Sequence, residues 1–188
     1  VNSWQAWKNR LLVATLLGAA SCAAQAETVV SIDASPNPAI VGSTVDLSVL
    51  IDDASDLYAY QFSLSYDPTV LRATAVTEGA FLGTGGATYS GYDVIDNGAG
   101  KVSFVFNTLL GPTAGVTGSG ALAHIRFDVI GLGTTPLAFS DGLFLDSNLA
   151  DVTVSYTAAP LTAVPEPGAW LMLGVGLAGL AALRRRAA

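Results

Sequence analysis

Between residues 27 and 162 hydrophobic and polar positions alternate in short segments interrupted by Gly, Asn, Asp and Pro, the pattern of half-buried strands in an all-β sandwich. Over 44–51 the alternation places Val45, Leu47, Val49 and Ile51 on one face. Over 58–66 it places Tyr58, Tyr60, Phe62, Leu64 and Tyr66 on one face, with Gln61, Ser63 and Ser65 opposite. Asp67-Pro68 ends this strand, because proline lacks an amide proton for the ladder and fixes a turn; a single helical turn is predicted over 69–71. Further strands are predicted over 101–107, 121–130 and 151–157, joined by glycine-rich, mobile connections at 83–91 and 111–120. No segment of this region carries a helical period. In 121–130, Ala123, Ile125, Phe127 and Val129 face one way while His124, Arg126 and Asp128 face the other. That polar row is either a binding strip or a solvated sheet face.

The two ends follow different patterns. Lys8 and Arg10 precede the apolar run 11–18, and small residues lead to Ala24-Gln25-Ala26, the three-part layout of a secretory signal cleaved after Ala26. The run is shorter than the ~20 apolar residues a membrane span needs, which argues against an N-terminal anchor. Cys22 has alanine, not leucine, three positions before it, which argues against a lipoprotein. At the other end Val164-Pro165-Glu166-Pro167 introduces sixteen uncharged residues, 168–183, followed by Arg184, Arg185 and Arg186. As a helix that stretch is about 24 Å long, short of a ~30 Å hydrocarbon core but able to span it with local thinning and arginine snorkelling. The arginines resist translocation and act as a membrane stop, leaving the body outside the inner membrane. The expected organisation is a signal peptide at 1–26, a β-sandwich at 27–163 and a tail at 164–188 with a transmembrane helix at 168–183. A plain C-terminal anchor is the alternative reading of the tail.

Composition changes the picture in two places. The chain is 51% hydrophobic and 12% charged, but the apolar excess lies mostly in the end segments, so this is no multi-span membrane protein. Fourteen acidic residues between 27 and 163 face only Arg72, Lys101 and Arg126, and a body so acidic repels phosphate; nucleic acid is excluded as a partner. Cys22 is the one cysteine and falls in the signal peptide, which removes disulfides, zinc thiolates and a cysteine nucleophile from the mature body.

Little in the body points to chemistry. The one histidine, His124, is mid-strand, and no serine sits in an activated elbow, so Ser-His-Asp catalysis has no support. Asp52, Asp53, Asp56, Asp93, Asp96, Asp141 and Asp146 could supply a carboxylate pair for glycoside hydrolysis, but most lie at strand ends and turns, where aspartate bonds to backbone. No catalytic residue is assigned, and no cofactor. Calcium is the open question: 52–56 and 141–151 are acidic loops rich in oxygen donors, though neither has EF-hand spacing. Tyr89 and Tyr92 could stack on sugar rings or belong to the core.

Val164-Pro165-Glu166-Pro167, the short apolar helix and the terminal arginines together resemble the PEP-CTERM sorting signal of exosortase-containing Gram-negative bacteria, over residues 164–188. The resemblance implies that a membrane-embedded cysteine protease recognises Pro165, Glu166 and Pro167, removes the tail and releases the body to the cell surface or extracellular polysaccharide matrix, after a transient inner-membrane stage. A second resemblance covers residues 28–157. The segments 57–82, 101–106, 121–129 and 144–152 look like a cohesin domain, most specifically at Tyr66-Asp67-Pro68 with Leu71 following and Gly79 beyond. It implies a nine-stranded jelly-roll sandwich related to carbohydrate-binding modules, and a non-catalytic role in docking calcium-loaded dockerin helices through one sheet face. The expected function is an exported binding module for a dockerin-type protein or a polysaccharide. A direct carbohydrate-binding module in extracellular polysaccharide metabolism and a glycosidase are the rivals.

Overall fold

The two alternating stretches 44–51 and 58–66 are one continuous strand. The computed structural model describes residues 27–166, 168 and 171–178, and in it β1 (Thr28–Ser35) and β2 (Ala39–Ile40) are followed by β3, Thr44–Ser65, which serves both layers of a sandwich. The other elements are β4 (Leu71–Glu78), α1 (Ala80–Gly83), β5 (Thr88–Ser90), β6 (Val94–Asp96), β7 (Lys101–Leu109) and β8 (Val116–Val129), then β9 (Gly133–Thr135), β10 (Ala138–Asp146), β11 (Val154–Ala158) and β12 (Leu161–Val164). The first half of β3 lies between antiparallel β1 and β8; β11 adds to β1 in parallel and β4 to β8. The first layer therefore runs β11-β1-β3-β8-β4. The second half of β3 lies between β10 and β7, and β7 carries β5 and β6 on its other edge. The linked pairing makes one sheet of nine strands, with a three-stranded sheet β2-β12-β9 beside it.

The predicted inward residues meet in one core. Val45, Leu47, Val49 and Ile51 from the first half of β3 and Ala123, Ile125, Phe127 and Val129 from β8 are buried with Tyr60, Phe62 and Leu64 from the second layer. Tyr66 and Phe127 meet edge to face across the layers at 4.9 Å, and the Tyr60 hydroxyl donates to the Leu122 carbonyl. Tyr58, by contrast, is half-buried and donates to Gly111 O at 2.8 Å. Ser63, predicted to face solvent, is buried.

The corner of β3 shows how a strand turns without ending. Asp53 and Asp56 take left-handed φ values of 54° and 56°, and the β3–β8 register shifts between Ile51 and Ala54 and again before Leu57. Side chains satisfy the backbone donors that the slipped ladder leaves over. Asp53 N donates to Ser119 Oγ and Asp56 N to Thr117 Oγ1, each at 3.1 Å. The Asp56 carboxylate accepts Gly115 N at 2.6 Å and Ser147 Oγ at 2.6 Å, tying β3 to the segment before β8 and to the turn after β10. Gly115 is required there, since a Cβ would overlap the Asp56 backbone carbonyl.

Two local expectations are corrected. The single helical turn expected at 69–71 is present, closed by Leu71 N on Asp67 O at 3.0 Å with Thr69 N on the Asp67 carboxylate at 2.8 Å, and β4 starts at Leu71. The one helix of the body lies further on, at α1, where Phe81 and Leu82 are buried over β8. Strands also form within the glycine-rich connections: β5 lies inside 83–91, and β8 begins inside 111–120. At the C-terminus residues 171–178 are helical and exposed. Among the described residues no helix is long and apolar enough to cross a membrane. The rest of the predicted helix (169–170 and 179–183), the signal peptide with Ala24 and Ala26, Pro167, and Arg184, Arg185 and Arg186 lie outside the described residues.

Acid should loosen this corner. Hydrogen bonds from the Ser147 hydroxyl and Gly115 hold the Asp56 carboxyl below the usual carboxylate range, and Thr69 does the same for Asp67. A carboxyl with a depressed folded-state pKa stabilises the fold above its unfolded value, and that contribution is lost as the pH falls through the folded one. The thermal midpoint should therefore hold from neutrality to about pH 5 and drop below about pH 4. Asp56→Asn should flatten that drop in melts followed by circular dichroism; an unchanged acid profile would show that Asp56 does not contribute to it.

Candidate binding faces and the sorting segment

The polar row predicted on β8 lies on the outer face of the first layer, and its groups are already matched across strands. Arg126 pairs with Asp46 on β3 at 2.8 Å, Arg72 on β4 with Asp128 at 2.6 Å, and Ser48 on β3 with His124 Nδ1 at 3.0 Å. Asp46, Thr77, His124 and Arg126 border an open depression of about 370 Å³. The pairs are exposed, so each adds little stability, and their charges cancel locally. Ser48 and His124 form no triad: Asp46, two residues before Ser48 on the same face of β3, is held by Arg126. The row is exposed and paired across strands.

The outer face of the second layer is different. Register places Leu143, Gln61 and Phe106 in one cross-strand row and Leu145, Ala59, Thr108 and Tyr89 in the next, so these side chains share a face. A bulge in β7 adds Phe104, whose φ is 57° and which is 54% exposed. Tyr89, Tyr92 and Phe106 cluster with centroids 6.0 to 6.2 Å apart, and the Tyr89 and Tyr92 hydroxyls are 3.1 Å apart. That hydrogen bond raises the Tyr89 pKa. Both tyrosines are exposed and belong to this surface rather than to the core. Val94 and Leu143 extend the exposed apolar area, and at one edge Lys101 pairs with Asp141 at 2.9 Å. Contiguous apolar surface of this kind marks an interaction site. Sequence reasoning missed Phe104, because strict alternation puts it beside buried Val102 and only the bulge turns it out.

In the two acidic loops considered for calcium, Asp56 accepts from Gly115 and Ser147, Asp141 pairs with Lys101, and Asp146 caps its own turn through Asn148 N at 2.8 Å and Ala150 N at 2.9 Å. Among the described residues no three His, Cys, Asp or Glu side chains converge to hold a metal ion.

The sorting segment leaves directly from the fold. β12 pairs in parallel with β2 and antiparallel with β9, and Val41 N donates to Val164 O at 3.0 Å. The next residues, Pro165 and Glu166, are exposed, with Glu166 beside Gly42.

A two-layered β body with an apolar outer face on its second layer has the build of a binding module. Its sequence matches the cohesin domain family model over residues 28–159, and the chain belongs to that family of non-catalytic binding modules. Residues 163–186 match the PEP-CTERM protein-sorting motif, which marks an exported protein sorted by an exosortase. Solved structures agree on the fold. A non-cellulosomal cohesin from the archaeon Archaeoglobus fulgidus superposes with a TM-score of 0.55 at 17% identity, covering 79% of this chain and 98% of that one. The second type II cohesin module of the ScaA scaffoldin of Acetivibrio cellulolyticus gives 0.62 at 17%, covering 74% and 98%. The cohesin of a type I cohesin–dockerin complex from Clostridium thermocellum gives 0.60 at 11%, covering 74% and 100%. No curated protein matches the chain.

Proposed function

We propose that this protein is displayed at the surface or in the extracellular matrix of a Gram-negative cell, where the outer face of its second layer docks a helical, dockerin-type protein. The observation that carries this reading is the apolar surface formed by Phe104 and Phe106 on β7, Leu143 on β10 and the paired tyrosines at and just beyond β5. It offers an amphipathic helix aromatic anchors at the centre and polar groups at the rim, the arrangement from which docking interfaces draw most of their energy. Two of the similar structures are cohesins in complex with dockerins, which supports the same class of partner. The acidic body favours a partner with basic residues around its apolar face.

Calcium-loaded type I and type II dockerin modules titrated calorimetrically against the protein test this. At least one should bind, and Phe104→Asp should weaken it by roughly 2 kcal/mol, about thirtyfold, because a charge would be buried in the apolar contact. Binding that Phe104→Asp leaves unchanged would move the interface to another face. Failure of every dockerin to bind would remove this class of partner.

A further inference from the structure

Two large apolar side chains stand in solvent at the end of the body from which the tail leaves. Ile130 is 47% exposed and Leu132 is 61% exposed, in the three-residue connection between β8 and β9. Connections this short are usually made of polar residues that serve the turn itself. Backbone pairing fixes where this one runs. Gly42 N, just past β2, donates to Val129 O at 2.8 Å, while Gly133 at the start of β9 stands opposite Ala163 of β12. β2 and β9 flank β12, so residues 130–132 cross from one side of β12 to the other at its C-terminal end. Register carried one step further puts Leu132 beside Val164, the residue before Pro165.

The connection is held in place from behind. Ile130 N and Gly131 N both donate to Val70 O, at 2.8 and 3.2 Å, and a Cβ on Gly131 would overlap the Thr69 carbonyl. Its backbone donors are satisfied and its path is packed on the turn at 67–70, so the two side chains are presented with little backbone freedom left to lose.

The tail identifies what they meet. Residues 165–170 separate Val164 from the helical residues 171–178 and reach no further than about 20 Å, so a tail held in a bilayer brings this end of the body to the lipid. Charge offers no other attachment. Arg72, Lys101 and Arg126 are each ion-paired, so among the described residues no lysine or arginine is left for a lipid phosphate. Asp67 lies in the turn behind the loop, and Glu166 beside Gly42.

We propose that Ile130 and Leu132 insert into the surface of the bilayer while the tail is anchored, giving the body a second, reversible membrane contact. The inference rests on the reading of residues 168–183 as a membrane-inserted helix. Two side chains are too little to hold a free acidic protein on lipid; they act because the tether keeps them at high local concentration, so the contact ends when the tail is removed. Until then it holds Pro165 and Glu166 at headgroup level, between the loop and the helix.

The test uses protein purified with its tail intact from a host lacking an exosortase, labelled at isoleucine and leucine methyl groups and reconstituted in phosphatidylcholine nanodiscs. Nitroxide-bearing lipid should broaden the methyl signals of Ile130 and Leu132 together with those of Leu173 and Leu177 in the tail. It should spare Leu149, which is 66% exposed at the far end of the body, where Asp56 at the corner of β3 holds Ser147. Leu132→Ser, at an exposed position where the fold is not at risk, should lower the docked-to-free ratio about tenfold, seen as lost broadening at Ile130 while the tail signals keep theirs. The proposal is overturned if the tail methyls are broadened and Ile130 and Leu132 are not, if Leu149 is broadened as strongly, or if Leu132→Ser leaves Ile130 unchanged. Shielding of the loop from a soluble gadolinium chelate without broadening from lipid would also overturn it, since a second copy or another protein would then cover the loop. Tail methyls that escape broadening would bring down the membrane reading of the tail itself, and this contact with it.

Discussion

With Pro165, Glu166 and Pro167 replaced by alanine, the protein should still be exported but should stay in the inner-membrane fraction of an exosortase-positive host, while the wild type reaches the surface. The prolines confine the backbone to an extended form that a protease groove accepts, and alanine lets the segment join the helix that follows. The body should be untouched, because its last strand bond ends at Val164, whose carbonyl is held by Val41 N whatever follows. Deleting Arg184, Arg185 and Arg186 should act differently: the positive stop is gone, and retention in the membrane weakens. Fractionation of hosts with and without an exosortase separates the two effects. Equal surface delivery of the wild type and the triple-alanine variant would show that the tail is only an anchor.

Phe62→Ala should be the most damaging single change in the body, by about 3–5 kcal/mol. Phe62 is fully buried in the second half of β3, stacked on Tyr60 at 6.0 Å and edge-on to Phe139 at 5.6 Å. Truncation removes one ring from an aromatic group that joins β3 to β10 and leaves a cavity that its neighbours only partly fill. Against a total stability of about 5–15 kcal/mol, the melting midpoint should fall by on the order of ten degrees. The neighbouring Gln61→Ala, on the outer face, should cost no more than about 0.5 kcal/mol. Thermal melts of the two variants also test register, since a slip of one residue along β3 would exchange their effects.

Alternation alone placed Val45 to Ile51, Phe62, Leu64 and the inner row of β8 correctly, because each of these strands buries one face and the chemistry of burial is local. Where two layers share a strand, local chemistry misleads. The run Asp52-Asp53-Ala54-Ser55-Asp56 reads as a loop, yet its acidic side chains and left-handed residues are what let β3 bend while staying bonded to β8. β2, β9 and β12 are two to four residues long and exist only because distant segments pair, which no window of sequence contains. At the binding faces the polar row on β8 was legible as a row, but the ion pairs that neutralise it come from β3 and β4. Tyr89 and Tyr92 were legible as ring-stacking candidates. Phe104 was not, because it is turned out by a bulge in β7.

The closure of β12 at Val164 also sets a leash. From Pro165 to Trp170 only six residues separate the last bonded residue of the body from the helical residues 171–178, and in any conformation they reach no further than about 20 Å. β3 alone contains 22 residues, so the body is large against its tether. While the tail is held in a bilayer, the body can neither drift away from the lipid surface nor turn through every orientation without colliding with it. A bulky partner approaching the membrane-facing side would be turned away before any contact formed. Cutting the tail would then act as a change of accessibility: the same face, with the same affinity, would become available to partners too large to fit beneath a tethered body.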